Sequence, residues 1–174
     1  MNTPDIAAPR ICSIVIDAPV QEVWDEITKT GSVQRPLYNT VLEVELEEGG
    51  SLRYYSPDRK RVFVAGRVLE VEPPHRLRHT YIFTMKPDVE TEVTWQLEPA
   101  DGGCRVTVTH AGWPTEKEAA KHGAGWNEIL ALLKSEVESG DIPTRTKIMY
   151  RIQGLFMFAL PSSTRRSYAD ERGW

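Results

Sequence analysis

Residues 104–138, CRVTVTHAGWPTEKEAAKHGAGWNEILALLKSEVE, decide the fold. Cys104, Val106 and Val108 alternate with the period of a strand that buries one face. His110, Ala111, Gly112, Trp113 and Pro114 then lead into a long helical stretch. Thr115 and Glu118 have the spacing of a capping box, in which each side chain satisfies an unpaired backbone amide, so the helix starts there. Trp126, Ile129, Leu130, Leu133 and Val137 form one apolar stripe, while Asn127, Lys134, Ser135 and Glu138 face water. Gly123 and Gly125 each weaken a helix by about 1 kcal/mol relative to alanine, so the pair signals close packing or a kink. Ser139 and Gly140 end the helix.

No other long helix is predicted, and the residues ahead of it read almost entirely as strands: 41–46, 51–55, 62–71, 77–84 and a run holding Val93, Trp95 and Leu97. Turns separate them at Gly49 with Gly50, at 56–60, at Pro73 with Pro74, around Pro87 and Asp88, and at Gly102 with Gly103. On 77–84, Leu77, His79, Tyr81 and Phe83 share the inward face. In 62–71 both faces are partly apolar, and its inward face stays open. A short strand at 11–16 and a short amphipathic helix carrying Val20, Val23, Trp24 and Ile27 after Pro19 begin the domain. Residues 31–39 are a connector with room for a turn or two of helix. A helix with one stripe must bury it against an antiparallel sheet, leaving a concave space where ligands go. The fold class is therefore α+β, a curved antiparallel sheet wrapped around a long C-terminal helix.

At 174 residues the chain suits one domain: a flexible stretch at 1–10, a body at 11–140 and an extension at 141–174. With 21 basic and 25 acidic residues, net charge -4, it lacks the basic field that nucleic-acid binding needs. Residues 1–10 hold Pro4, Asp5 and Pro9 and no apolar core, so no secretory signal or membrane span is read there and a cytoplasmic location is expected. Cys12 and Cys104 read as small core residues.

Three groups of residues resemble a known family. They are Ala18, Pro19, Val23 and Trp24; Gly66, Val68, Glu70, Val71, Pro73, Pro74 and Leu77 through Tyr81; and His110, Gly112, Trp113, Pro114, His122, Gly125, Trp126, Ile129 and Leu130. In that order and spacing the chain is similar, over residues 11–138, to START-like (SRPBCC) proteins, in the branch called activator of heat-shock-protein-ninety ATPase homologue. The resemblance implies a helix-grip fold with an apolar cavity, used in relatives for lipids, polyketides, plant hormones or nothing identified. The co-chaperone that names the branch carries a separate amino-terminal domain, for which residues 1–10 leave no room, and this argues against a chaperone role.

For chemistry the histidines come first, since imidazole exchanges protons near neutral pH. His79, inward between Leu77 and Tyr81, is the one weak catalytic candidate; the commoner outcome for such a residue is a satisfied core histidine. His75 sits in a turn, and His110 and His122 flank the start of the long helix, where packing or capping outweighs chemistry. No metal is expected, because the cysteines lie far apart and no histidine pair has ligand spacing. No cofactor is expected either, since the Gly-Gly pairs are hairpin turns rather than phosphate loops, and Ser13, Ser51 and Ser56 lack a nucleophile-elbow context, which argues against a hydrolase. Tyr54, Tyr55, Phe63, Tyr81, Phe83, Trp95 and Trp126 are pocket candidates, with core filling as the ordinary alternative for any one of them. The expected ligand-binding set is Tyr54, Phe63, His79, Tyr81, Phe83, Trp95, Trp126 and Leu130.

The extension is unexpected. Residues 148–160 include ten apolar side chains among thirteen, flanked by Arg145, Lys147, Arg165 and Arg166. The segment is too short to span a bilayer. It packs back as an extra helix, pairs with another subunit or protein, or, least favoured, lies on an anionic membrane. Gly154 should interrupt it and Pro161 end it, with 162–174 disordered. Three functions follow: binding of a small hydrophobic or amphipathic molecule, which leads and is non-enzymatic or at most weakly catalytic; a cyclase- or dehydratase-like enzyme on an aromatic or polyketide-like substrate; and a protein-interaction module or chaperone ATPase regulator.

Overall fold

A computed structural model describes residues 7–174. Among these, eight strands form one antiparallel sheet: β1 (Arg10–Ile16), β2 (Val33–Gln34), β3 (Thr40–Val44), β4 (Ser51–Tyr55), β5 (Val62–Glu72), β6 (Arg76–Phe83), β7 (Glu90–Ala100) and β8 (Gly103–Ala111). Their spatial order is β1-β8-β7-β6-β5-β4-β3-β2, a meander with the first strand returned to pair with the last. The helices are α1 (Val20–Ile27), α2 (Glu116–Ser139), α3 (Thr144–Leu155) and α4 (Arg166–Glu171). The sheet grips α2, which is the helix-grip arrangement that the alternation and the single stripe predict.

The start of α2 follows its sequence signal, since the Thr115 hydroxyl accepts the Glu118 N–H at 3.3 Å. Gly140 ends it at φ 69°, a left-handed cap that costs glycine nothing. Trp126, Ile129, Leu130 and Leu133 are buried against Leu52, Leu77, Val93, Trp95, Leu97 and Val106 of the sheet and Val23, Trp24 and Ile27 of α1. Each such side chain removed from water contributes about 2 kcal/mol. The glycine pair marks close packing and not a kink: a Cβ on Gly123 would lie 3.2 Å from Arg10 Cγ, and one on Gly125 3.0 Å from the Tyr38 hydroxyl. The helix runs through both.

Some expectations change and some open readings close. Residues 1–6 of the expected flexible stretch lie outside the described residues, but Ala7 is already packed. Its N–H donates to the Trp113 carbonyl at 3.1 Å and its side chain is buried with Trp113 and Ala119, because this segment leads into β1 along its β8 partner. The connector forms no helix: β2 pairs with β3, and Tyr38 and Asn39 take left-handed φ values of 55° and 58°. Gln34 Nε2 donates to the carbonyls of Glu26, Ile27 and Lys29, closing the end of α1. Strand β5 is apolar on both faces because both are covered: Val64 and Val68 join the main core, while Val62 and Ala65 pack with Tyr55 and Ala169 on the opposite face.

Ala169 belongs to the extension, where two further expectations change, at Gly154 and over 162–174. Residues 162–174 are not disordered but cross to the outer face of the sheet and form α4. Arg61 donates to the Thr164 hydroxyl at 2.6 Å, Arg53 pairs with Asp170 at 2.7 Å, and Ala169 is fully buried. Helix α3 runs through Gly154, and its Tyr150, with Ile142 just ahead of the helix, packs on Leu132, a residue on the side of α2 turned from the sheet. Arg35 ties the connector to this junction through Glu136 at 2.7 Å and Asp141 at 2.9 Å. Ile148, Ile152, Leu155, Phe156 and Phe158 remain exposed. Among the described residues no helix is long and apolar enough to cross a membrane.

Candidate functional site

Between the sheet and α2 lies a cavity of about 620 Å³. Strands β4, β5, β6 and β8 supply one wall, α2 from Lys121 to Ile129 a second, the connector at Leu37 to Thr40 a third, and α3 with the turn after it a fourth. The half-exposed lining residues Tyr38, Met85, Ile152 and Phe156 mark the rim where it meets solvent.

Of the eight residues expected to bind ligand, six line this cavity: Tyr54, Phe63, His79, Tyr81, Phe83 and Trp126. Trp95 and Leu130 do not. They are 1% and 2% exposed in the core, where α2 closes on the sheet, and Trp95 meets Trp126 edge-on at 5.4 Å between ring centroids. Tyr55 also misses it, since it faces the outer side beneath the Arg166 guanidinium at 5.5 Å. The connector and extension add Tyr38, Tyr150, Phe156 and Met157. No local periodicity marks these four; the only hint is Gly125, whose missing Cβ admits the Tyr38 phenol.

The two buried histidines differ in kind. An indole nitrogen can only donate, so the Trp126 Nε1–H donates to His110 Nδ1 at 2.9 Å. His110 Nε2 must then carry its hydrogen and donate to the Thr91 hydroxyl at 2.8 Å, and that hydroxyl donates to the Tyr81 carbonyl at 3.0 Å. Every member is satisfied. His110 is thus a strut holding Trp126 against the cavity, as the packing role expected of it implies. Burial, with the nearby His122 and His79, pushes its pKa down to about 3.

His79 is 1% exposed, and its Nδ1 lies 2.8 Å from the Thr80 carbonyl. A carbonyl only accepts, so Nδ1 carries the hydrogen and Nε2 presents a bare lone pair. That Nε2 is buried without a partner among the described residues. The local chain explains the arrangement. Pairing between β5 and β6 lapses between Ala65↔Ile82 and Val68↔His79, and the Arg67 N–H turns to the Thr80 hydroxyl at 2.9 Å. Gly66 makes this possible, because a Cβ there would stand 2.0 Å from the Thr80 carbonyl oxygen. Burial lowers the His79 pKa to about 4, so the ring is neutral at pH 7.

The same burial pushes the phenols of Tyr54 and Tyr81 far above their usual range, so both stay protonated and able to donate. His122 stacks on Trp113 at 4.2 Å and meets Phe83 edge-on, near the rim by Lys121. His75 stays exposed in its turn. Among the described residues no three histidine, cysteine, aspartate or glutamate side chains gather as a metal site would need. The cavity thus offers an apolar volume, one neutral imidazole acceptor and phenolic donors.

Solved structures repeat this frame. Protein MLL2253 from Mesorhizobium loti is 16% identical with a TM-score of 0.64, over 78% of this chain and all of that one. CalU16 from Micromonospora echinospora is 26% identical with a TM-score of 0.61, over 87% of each chain. DynU16, a protein in the dynemicin biosynthetic locus, is 24% identical with a TM-score of 0.67 over 78% of this chain, but that match spans only 49% of DynU16. No curated protein matches the sequence. The family model described as Activator of Hsp90 ATPase homolog 1-like protein matches residues 17–138, from the residue after β1 through nearly all of α2, which is more than half of the chain. The chain belongs to that family, as the START-like resemblance of its sequence implies.

Proposed function

We propose that the protein binds a small hydrophobic or amphipathic molecule between the sheet and α2. The observation that carries this reading is the cavity of about 620 Å³, a size that suits a small organic ligand, lined by aromatic and aliphatic side chains with a few polar groups converging on it. Tyr54, Phe63, His79, Tyr81, Phe83 and Trp126 supply the binding wall, and the extension beyond Gly140 supplies the fourth wall. Native mass spectrometry of freshly purified protein tests it by revealing a co-purified small molecule. Titration with naphthalene, followed by NMR, should shift resonances of Tyr81 and Trp126 saturably; absence of saturable shifts at that probe and of any co-purified molecule removes the reading.

One observation favours a catalytic variant, a cyclase- or dehydratase-like reaction on an aromatic or polyketide-like substrate. His79 keeps an unprotonated Nε2 and lines the cavity together with Tyr81, their rings 6.3 Å apart, a base and a hydrogen-bond donor of the kind that such chemistry uses. Unchanged turnover in His79→Ala would eliminate it. A contact role rests on the exposed row Ile148, Ile152, Leu155, Phe156 and Phe158. If it holds, Leu155→Ser with Phe158→Ser lowers the mass measured in solution. The free thiols Cys12 and Cys104 support a cytoplasmic location.

A further inference from the structure

Resting on the binding reading above, we infer that the ligand carries a hydroxyl or N–H that donates to His79 Nε2, on an otherwise apolar, ring-sized skeleton. The class is phenols and hydroxylated polycycles, in preference to fatty carboxylates or fully alkylated ethers. The lone pair is the decisive feature. Buried polar atoms in folded proteins are almost always hydrogen-bonded, so a ring nitrogen left without a partner, on a residue that is 1% exposed and lines the cavity, marks a place that a ligand atom completes. Its sign is settled by the Thr80 carbonyl, which holds the hydrogen on Nδ1 and leaves Nε2 able only to accept.

The surroundings guard that assignment. Gly66 and the lapse in β5–β6 pairing exist around the one carbonyl that sets the tautomer, and a side chain at Gly66 would collide with it. An ether or ketone oxygen at Nε2 would set acceptor against acceptor. A carboxylate there would be a buried anion facing a neutral ring with no compensating charge. The cation in the lining, Lys121, stands exposed at the rim, where it could hold a carboxylate only by leaving hydrocarbon against His79. The protonated phenols of Tyr54 and Tyr81 are free to take an acceptor oxygen elsewhere on the same ligand.

Three probes of one shape test this: naphthol, its methyl ether and naphthoic acid, titrated into the full-length protein with tryptophan fluorescence and calorimetry as readouts. Naphthol should bind about ten-fold tighter than the ether, the value of satisfying one buried acceptor. In His79→Leu that ratio should fall to about one, with ether affinity retained. Because this variant could lose its fold, histidine-ring nitrogen NMR of the wild type gives a second readout: bound naphthol should move the Nε2 resonance upfield and leave Nδ1 in place. Ether and naphthol binding equally and saturably overturns the inference while leaving the cavity reading intact. Naphthoic acid binding tightest, and losing this in Lys121→Ala, overturns it in favour of an anionic ligand. If none of the three probes saturates, the inference falls, and where no small molecule co-purifies either, the cavity reading falls with it.

Discussion

Acid should unfold this protein in a window set by two imidazoles. His79 and His110 are 1% and 2% exposed, with pKa values pushed by burial to about 4 and about 3, against about 6.5 in an unfolded chain. Above pH 6.5 both are neutral in either state and stability is flat. Below it the unfolded chain takes up protons that the folded one refuses, so stability falls with decreasing pH until the folded values are reached. At pH 5 each histidine costs about 2 kcal/mol and the pair about 4 kcal/mol, a large share of the roughly 5–15 kcal/mol typical of a domain. Half-buried His122 adds a smaller share in the same direction. Carboxylates held low by hydrogen bonds, such as Glu138 by the Asp17 amide, begin to lose their contribution only near the ordinary carboxylate value of about 4.3, beneath the range from pH 7 to pH 5. Urea unfolding at pH 7, 6 and 5, followed by fluorescence of buried Trp95 and Trp126, measures the slope. His79→Leu should reduce it by about half, whatever it does to stability at pH 7. Unfolding free energies at pH 5 and pH 7 agreeing within about 1 kcal/mol would refute the reasoning, since two enclosed neutral imidazoles cannot be indifferent to acid.

Other perturbations separate core from cavity and body from extension. Gly66→Ala forces a methyl against the Thr80 carbonyl and should cost about 2 kcal/mol in urea or thermal unfolding; a neutral result would show that β5 and β6 can part freely. Leu130→Ala should cost about 3 kcal/mol, yet leave naphthalene affinity unchanged, because Leu130 lies in the core and not on the cavity wall. Arg61→Ala removes the donor to the Thr164 hydroxyl and to the Leu160 and Pro161 carbonyls, so trypsin should cut beyond residue 160 about ten-fold faster while the body resists. Equal cleavage rates would mean that the extension is held by other contacts.

Much of the frame was legible one residue at a time. Alternation through Leu77, His79, Tyr81 and Phe83 and the helical stripe from Trp126 to Leu133 are local periodicities, and each had one face to bury, so sheet, helix and their facing sides could be read directly. Thr115 and Gly140 bounded α2 for the same reason, since a cap depends on neighbours a few residues away. Tertiary structure decided where the helix rests and where it stands clear. That separated Trp95 and Leu130, sealed in the core, from Trp126 and Tyr81, open to the cavity, although all four are inward residues of the one sheet and its helix. It also decided the course of residues 141–174, whose anchors Arg35, Arg53 and Arg61 lie about a hundred residues away in the chain, and the tautomer of His79, which depends on a gap in pairing with β5. Periodicity reports which way a side chain points, but whether it meets protein or open space depends on distances between elements that no local pattern encodes.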